Sequence, residues 1–317
     1  MRISGFTMVK NAGKLYYPIR EVILSILPIV DEFVVALGDC DADDNTEELI
    51  ESIGSDKIKI IHTVWDITKW PNGMENAHQT DIAKNACTGD WLIHLQADEL
   101  IHEKYHDTIV KNCAKYLNDK RVDGFLFHYK HFFGDYNHYM NSHAWYPYEI
   151  RIVRNKPEIH SFQSAQTFRK IANFDGFSYR KKEGSEKLNV VKLDAYIYHY
   201  GWVRPPHLMQ RKSKALDTIH KGANRVQEIY SNRADYFDYG CLYALPKFSE
   251  THPAVMQEMV KKFFWGDTLH YEKGYVPTNR PPMKHETPKY RIISWIEQKL
   301  CGGRQIGGYS NWNIVKR

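Results

Sequence analysis

The spacing of apolar and polar residues changes repeatedly between a strand period and a helix period over the first 120 residues. Strand-like runs cover residues 2–9, 32–37, 57–64 and 91–95. Helix-like segments lie between them at residues 13–27, from the polar stretch 43–46 to about residue 53, and at residues 75–87. This order predicts an α/β fold with a mainly parallel, right-handed, doubly wound sheet flanked by helices.

The remaining two thirds of the chain are less regular. Residues 122–129 and 149–153 have the composition of strands, and an aromatic, histidine-rich loop at 130–139 separates them. From Pro206 the pattern is helical, including residues 247–264. We therefore predict a binding and catalytic domain at residues 1–205 and a helical C-terminal region with a basic tail at residues 206–317.

An acidic pair follows the fourth strand directly. The apolar run at residues 91–95 leads into Asp98 and Glu99. In open α/β sheets, ligands bind in the crevice outside the carboxyl ends of the strands, and carboxylate oxygens suit Mg²⁺ or Mn²⁺. The sequence thus predicts a site for a metal and a phosphate at this edge of the sheet.

The same segment resembles a known family. Residues 89–91 (GDW) and 95–99 (LQADE) are similar to the "GDW…DADE" segment of family-two glycosyltransferases, which have the GT-A fold. In that family the acidic motif binds the metal of a nucleotide-sugar diphosphate. The resemblance implies that Asp98 is the direct metal ligand, with Mn²⁺ or Mg²⁺ as cofactor. Gln96 replaces the family's first aspartate, so it retains only hydrogen bonding to the nucleotide.

A second segment carries the resemblance further along the chain. Residues 196–206 (YIYHYGWVRPP) look like a "HyGyvR.p" phrase that follows the catalytic core in many members of the family. The resemblance implies that His199 completes the metal shell, and imidazole is a reasonable ligand beside carboxylate and diphosphate oxygens. The alternative is a histidine that is simply packed and hydrogen-bonded in an aromatic strand.

The resemblance also implies three residues on the nucleotide side. Thr7 lies where the family's first strand ends at the nucleotide, and Asp39 opens a variant of its acidic "DDGSTDGT" loop, where it would meet the base or ribose. Gln79 matches the first residue of a Gln-Arg-Asn motif, although the two residues after it do not match. The alternative for the acidic loop is that it only caps the next helix, which we favour for Asp43 and Asp44.

The catalytic base has no clear motif. Many relatives carry a His-Glu dipeptide after the strand that corresponds to residues 151–154, whereas here His160 is followed by Ser161 and no acid occurs at residues 161–168. Inversion requires a group that takes a proton from the acceptor hydroxyl. Glu149 and Asp135 are the candidates.

Composition narrows the class of protein and its surroundings. The chain has 317 residues and an apolar share of 43%, enough for one large domain with an appendage. Five cysteines without CxxC spacing argue against a disulfide framework or a zinc cluster, and a reducing, cytoplasmic location fits best. The longest apolar stretch, residues 22–30, is too short to span a membrane.

The formal charge of +5 is unevenly distributed. Residues 280–317 contain eight Lys and Arg against two Asp and Glu. Apolar residues recur there at helical spacing, namely Ile292, Ile293, Trp295, Ile296 and Leu300. This segment either lies on an anionic membrane surface or closes the fold as a helix docked on the core.

These features predict a glycosyltransferase that moves a sugar from a nucleotide-diphosphate donor to a hydroxyl of a glycan, a lipid-linked or another acceptor, with metal and with inversion. One alternative is a non-catalytic protein that binds a nucleotide or glycan on the same scaffold, supported by Gln96 and the missing base motif. A nucleotidyltransferase is a weaker alternative, because residues 8–13 contain one glycine where a triphosphate loop needs several. Nucleic-acid binding is not expected, since the sheet-end site is acidic.

Overall fold

The computed structural model describes residues 1–308 and 310–315. Its N-terminal part alternates strands and helices as predicted. The elements in chain order are β1 (Ile3–Val9), α1 (Ile19–Ile26), β2 (Glu32–Leu37), α2 (Thr46–Glu51), β3 (Ile58–His62), α3 (Met74–Asn85) and β4 (Trp91–His94). Helix α1 starts six residues later than predicted, directly after Pro18, whose fixed φ suits the start of a helix.

The second part of the chain is dominated by strands and the last part by helices. The strands are β5 (Glu99–Ile101), β6 (Gly124–Phe133), β7 (Tyr139–Met140), β8 (Tyr148–Arg154), β9 (Ile159–Phe162), β10 (Thr167–Lys170) and β11 (Glu186–Trp202), with α4 (His106–Lys115) between β5 and β6. The C-terminal elements are α5 (Pro206–Lys221), α6 (Ala223–Tyr230), α7 (Gln257–Lys261), α8 (Pro288–Leu300) and the short strand β12 (Trp312–Ile314).

The strands of the described residues form one mixed sheet, whose main path has the order β3-β2-β1-β4-β8-β6-β11-β10-β9. Strands β5 and β12 pair with β11, and β7 pairs with β6. Strands β3, β2, β1 and β4 are parallel, β8 is antiparallel to both of its neighbours, and β6 and β11 are again parallel. The predicted α/β class, with a mainly parallel sheet flanked by helices and a helical C-terminal part, is confirmed. The chain runs outward from β1 through β2 to β3 and then returns to β4. The carboxyl ends of β1 and β4 therefore flank a topological switch point, where such sheets form their ligand crevice.

The core explains why the first strands are so apolar. Strands β2 and β4 are buried along their whole length, and β1 is buried except at Met8. Strands buried on both faces must be apolar nearly throughout, as in the Phe-Val-Val-Ala-Leu run of β2. Residues that follow such strands are held in fixed positions, which is useful for a binding site.

Two predicted segments differ from the structure. Residues 130–133 do not form a loop but continue β6, because Phe132 and Phe133 are buried in the core. Residues 247–264 are mostly irregular. A 3₁₀ turn (Ala254–Met256) follows Pro253 and leads into the five-residue helix α7, and Pro253 has no N–H with which a helix could continue through this position. Among the described residues, no helix is both long and apolar enough to cross a bilayer.

Candidate active site

A cleft of about 670 Å³ opens at the carboxyl ends of β1 and β4. Pockets for small molecules and cofactors typically measure about 300–1,000 Å³. One wall consists of the end of β1 and the loop after β3, and the opposite wall consists of the end of β11 and helix α5. Residues that line the cleft include Lys10, Asn11, Tyr17, Trp65, Gln96, Asp98, Tyr146, Ser164, Gln166, His199, Lys212 and His220.

Asp98 lies at the floor of this cleft, four residues after the end of β4. Its side chain is buried, and its Oδ2 accepts a hydrogen bond from Lys212 Nζ at 2.9 Å. Its Oδ1 is 3.6 Å from His199 Nε2. Burial alone would raise the pKa of Asp98, but the positive charges nearby, above all that of Lys212, hold this pKa well below its usual range. The carboxylate is therefore ionised at neutral pH.

His199 has its proton placed by a second histidine. His131 Nε2 is 2.8 Å from the carbonyl oxygen of Tyr146, and His131 Nδ1 is 2.8 Å from His199 Nδ1. Burial lowers the pKa of His131 to about 3 and that of His199 to about 4, so both rings are neutral at pH 7. A carbonyl only accepts, so His131 Nε2 donates to it, and His199 Nδ1 must then donate to His131. His199 Nε2 is consequently an acceptor, and it faces Asp98.

Lys212 comes from helix α5, far from Asp98 in the sequence. Its ammonium donates to Asp98 Oδ2 and, at 2.7 Å, to the carbonyl oxygen of Gly201. Burial lowers the pKa of Lys212 to about 8, against the opposite effect of Asp98. In the sequence, its charge does not distinguish it from the other basic residues at 207–214. The feature that could have identified it is helical spacing. Lys212 lies three residues after the fully buried Met209, so both lie on the inward face of α5.

The residues at the cleft floor fit a divalent cation. A Cβ at position 201 would lie 2.5 Å from His199 Nε2 and 2.8 Å from Asp98 Oδ2, so only glycine leaves this space open beside both groups. Asp98 Oδ1 and His199 Nε2 are two acceptors at the spacing of neighbouring ligands of one ion. Within the described residues, no cluster of three or more His, Cys, Asp or Glu could hold a metal. Diphosphate oxygens and water would have to complete the shell, as is common for Mg²⁺.

Lys212 opposes such an ion. Two unit charges 4 Å apart interact by about 4 kcal/mol at an effective dielectric constant of about 20, and a doubly charged ion doubles that repulsion. The buried guanidinium of Arg204 adds a further positive charge that acts on Asp98. Without a ligand, the cleft floor is thus not net negative.

The predicted nucleotide residues are only partly brought together. Asp39 accepts hydrogen bonds from Lys10 Nζ at 2.8 Å and from the backbone of Trp65 at 2.9 Å, and these two partners line the cleft. Gln96 lines it too, with its amide donating to the carbonyl of Ala165. Thr7 is fully buried in β1 and not part of the lining.

Gln79 is also buried behind the wall. Its amide donates to Glu75 Oε1 at 2.7 Å, whereas Asn76, one turn earlier on α3, reaches the cleft.

Trp65 is a lining residue that the sequence analysis missed. It follows β3, and Lys10 lies over its ring at 5.9 Å from the centroid. Its indole Nε1 is buried, and no hydrogen-bond partner for it exists in the described part of the chain.

The two candidate bases have different surroundings. Glu149 is buried behind Gln166, whose amide donates to Glu149 Oε1 at 3.2 Å and which itself lines the cleft. Burial raises the pKa of Glu149 to about 7. Asp135 is held by His138 Nδ1 and by the hydroxyl of Tyr271, both within 3.0 Å, and is not a lining residue.

Glu99, the other acid of the predicted pair, has a structural role. Its carboxylate accepts two hydrogen bonds from the Arg151 guanidinium, at 2.6 and 2.8 Å, and one from the Tyr129 hydroxyl. Glu99 and Arg151 are fully buried. The ion pair joins β5 to β8 beside the site, and Asp98 alone of the two acids faces the cleft.

Several solved structures are similar to this chain in part. The crystal structure of S. aureus TarS 1-349 in complex with UDP has 15% identity, covers 74% of this chain and 71% of that chain, and gives a TM-score of 0.37. Glucosyl-3-phosphoglycerate synthase from Mycobacterium tuberculosis, in complex with Mn²⁺, UDP and phosphoglyceric acid, has 16% identity, covers 40% of this chain and 43% of that chain, and gives a TM-score of 0.28. TM-scores at this level support no argument about function.

No protein-family model matches the chain. A curated protein of Rickettsia felis, named "Uncharacterized glycosyltransferase", is 28% identical over 119 residues, which are 38% of this chain. The match spans about a third (36%) of that relative's length. The predicted resemblance is thereby confirmed: this chain is similar to a glycosyltransferase over part of its length, and it has the mainly parallel α/β sheet that the resemblance implies.

Proposed function

We propose that the chain is a glycosyltransferase that moves a sugar from a nucleotide-diphosphate donor to a hydroxyl acceptor. The observation that carries this proposal is the convergence of Asp98 Oδ1, His199 Nε2 and the Lys212 ammonium at the floor of a cleft at the switch point of the sheet. A carboxylate, a neutral imidazole and an ammonium together suit a diphosphate and its cation.

The chemistry needs charge stabilisation at the leaving group. The acceptor oxygen forms a bond to the anomeric carbon while the bond from that carbon to the diphosphate oxygen breaks, and its electron pair stays on the diphosphate. A single displacement of this kind inverts the anomeric centre. A Mn²⁺ or Mg²⁺ held by Asp98 and His199 would neutralise charge on the departing diphosphate. Lys212 is placed to donate a hydrogen bond to the same group.

The nucleotide would bind along the wall formed by β1 and the loop after β3. Trp65 offers an aromatic face, and Asp39 and Lys10 form an ion pair beside it. A base can stack on the ring, and a carboxylate can accept from a base N–H or a ribose hydroxyl. Gln96 lines the same cleft, and its side-chain amide can hydrogen-bond to the nucleotide.

The acceptor proton requires a base near the opposite wall. His220 lines the cleft, and burial lowers its pKa, so that it is neutral at pH 7 and able to accept a proton. Glu149, with a pKa raised to about 7, is the predicted carboxylate on this side, one residue behind the lining. Asp135 lies farther away, and its hydrogen bonds to His138 and Tyr271 already engage both oxygens.

Helix α8 supports a further part of the proposal, peripheral contact with an anionic membrane. Its polar side faces the protein, where Ser294 bonds to Ser142 and Glu297 to His143. Much of its apolar side is turned to solvent: Ile292, Trp295 and Leu300 are exposed by 61, 58 and 71%, whereas Ile293 and Ile296 are half-buried. Exposed apolar residues beside Lys and Arg are typical of helices that lie on anionic membranes.

A nucleotide-release assay tests the transferase proposal. The protein would be incubated with UDP-, GDP-, ADP- and dTDP-linked sugars, with Mn²⁺, with Mg²⁺ and with EDTA, and free nucleotide would be measured. We expect release from one donor class and its loss in Asp98→Asn. Tight nucleotide binding without release from any donor, in the presence of acceptor mixtures, would favour the non-catalytic alternative.

A further inference from the structure

Lys212 and the predicted cation would share one carboxylate. Asp98 Oδ2 is bonded to the Lys212 ammonium at 2.9 Å, while Asp98 Oδ1 and His199 Nε2 face each other at 3.6 Å. Lys212 is itself buried, so its charge is poorly screened by water. If the ammonium moved away, the buried and ionised Asp98 would lose its counter-charge, which is energetically costly. A divalent ion would therefore have to enter beside an existing cation.

The charges at the cleft floor do not favour a metal by themselves. Asp98 contributes one negative charge, and the ammonium of Lys212, 2.9 Å from it, contributes one positive charge. Arg204, buried nearby, adds another positive charge. Sites that hold divalent ions tightly without substrate usually surround them with several carboxylates, whereas this one offers one carboxylate oxygen and one imidazole.

A diphosphate changes this balance because it brings several negative charges. We propose that Lys212 makes the cation site conditional on the diphosphate: alone, the protein holds Asp98 with Lys212 and binds little metal, and the divalent ion enters together with the nucleotide diphosphate. This inference rests on the proposed function. It assigns Lys212 as a residue that positions Asp98 and contacts the donor's diphosphate.

The hydrogen-bonding capacity of Lys212 fits both roles. An ammonium has three N–H groups, and Asp98 Oδ2 and the Gly201 carbonyl accept two of them. Because Lys212 lines the cleft, the third can donate to a diphosphate oxygen. Gly201 contributes to the positions of both the ammonium and the predicted metal ion. Its carbonyl oxygen accepts a hydrogen bond from Lys212, and because it has no side chain, space is left beside His199.

The test measures Mn²⁺ binding by electron paramagnetic resonance, which is independent of turnover. The full chain is titrated with Mn²⁺ alone, and then with Mn²⁺ in the presence of UDP, GDP or inorganic pyrophosphate. We expect weak binding of Mn²⁺ alone and an increase in affinity of about tenfold or more with one of these diphosphates. Equal Mn²⁺ affinity with and without every diphosphate overturns the proposal, and this measurement needs no variant.

Variants then assign the effect to Lys212. In Lys212→Ala and Lys212→Gln, Asp98 is released from the ammonium, so Mn²⁺ alone should bind about tenfold or more tightly than in the wild type, and the diphosphate should bind more weakly. Lys214→Ala removes an exposed lysine from the same helix and should change neither affinity. Circular dichroism and thermal melting check that each variant is folded. Unchanged Mn²⁺ affinity in both folded Lys212 variants contradicts the assignment.

The outcomes separate this inference from the transferase proposal. If diphosphate and Mn²⁺ bind together but no sugar is transferred from any donor, the inference stands and the transferase proposal fails. If sugar is transferred but the wild type binds Mn²⁺ alone as tightly as with diphosphate, the transferase proposal stands and the inference fails.

Discussion

The two walls of the cleft are built in different ways. The wall at β1 and β3 consists of strand ends and the loops directly after them, all within the first 100 residues. The wall at β11 and α5 is assembled from residues 131–220, and it carries the charges and histidines that act on Asp98. The first wall is suited to holding a flat, neutral group such as a base, and the second to charge and proton transfer.

This difference follows from the sheet. Parallel strands β1, β2, β3 and β4 put their carboxyl ends at one edge, so short segments of sequence are sufficient to build a binding surface there. The second wall needs distant segments to meet, among them the end of β11 with His199 and α5 with Lys212, while His131 at the end of β6 supports His199 from behind. Disturbing the second wall should therefore affect chemistry, and disturbing the first should affect affinity.

The largest effect is expected where the walls meet. Asp98→Asn keeps the size of the side chain but removes the charge that faces Lys212 and His199, so turnover of the nucleotide sugar should fall by about a thousandfold, or about 4 kcal/mol in the barrier. Nucleotide release under saturating donor measures it. The control is Asp107→Asn, which removes an exposed carboxylate on α4. Turnover within a few-fold of the wild type in Asp98→Asn would remove the basis of the proposed mechanism.

The buried carboxyl group of Glu149, on the side of the second wall, should give the next largest effect. This effect is on the free energy of unfolding. Burial raises the pKa of Glu149 from an ordinary 4.5 to about 7. The folded state thus binds the proton more tightly than the unfolded state. Its stabilising contribution is complete below about pH 4.5 and is lost as the pH rises through 7, a loss of about 3 kcal/mol.

Glu149→Gln should cancel this pH dependence. Urea unfolding at pH 5 and pH 8 is expected to show that the wild type loses stability relative to Glu149→Gln as the pH rises. Glu183→Gln, at an exposed loop position, should behave like the wild type. If the wild type instead gains stability relative to Glu149→Gln between pH 5 and pH 8, this explanation is wrong.

The first wall should respond in affinity. Trp65→Ala removes the predicted stacking surface and should weaken nucleoside diphosphate binding by about 2 kcal/mol, or about thirtyfold in Kd, with a smaller change in kcat. Isothermal titration calorimetry measures Kd. Trp295→Ala, which removes an exposed tryptophan from α8, is the matched control. If Kd is unchanged and kcat falls, the assignment of affinity to the first wall and of chemistry to the second wall is wrong.

The smallest effect lies outside both walls. Trp295→Ser on α8 should weaken binding to vesicles of phosphatidylglycerol and phosphatidylcholine by about fivefold, or about 1 kcal/mol. Sedimentation of vesicles with bound protein measures the binding. The control is Trp65→Ala, which should bind vesicles like the wild type. Wild-type protein that stays in the supernatant at low salt would argue against membrane contact.

The sequence predicted the strands of the first wall and the position of Asp98, but not the lining residues Trp65 and Asn76, and it predicted little of the second wall. Strands β1 to β4 are short, apolar and separated by turn signals, so their order and the position of Asp98 could be predicted from residues close together in the chain. The motif around His199 was found by resemblance. Lys212 and the pairing of His131 with His199 could not be predicted, because each depends on which segments meet across the sheet, and spacing along the chain contains no information on that.

The two predicted bases illustrate the same limit. Glu149 and Asp135 are both acids near strands, and the sequence treats them alike. In the structure Asp135 is held by two hydrogen-bonding side chains, whereas Glu149 lies directly behind the cleft with a strongly raised pKa. Only the surroundings of each carboxyl group distinguish them.

The line of contacts from Tyr146 through His131 to His199 has a fixed direction. Because a main-chain oxygen at its far end has no hydrogen to give, the protons of both rings must point away from Asp98 whenever the rings are uncharged. A residue that touches no substrate therefore decides which atom of its neighbour is electron-rich. Replacing His131 by an aromatic residue without ring nitrogens would keep a ring in this place. His199 would then be free to turn its proton towards the incoming cation.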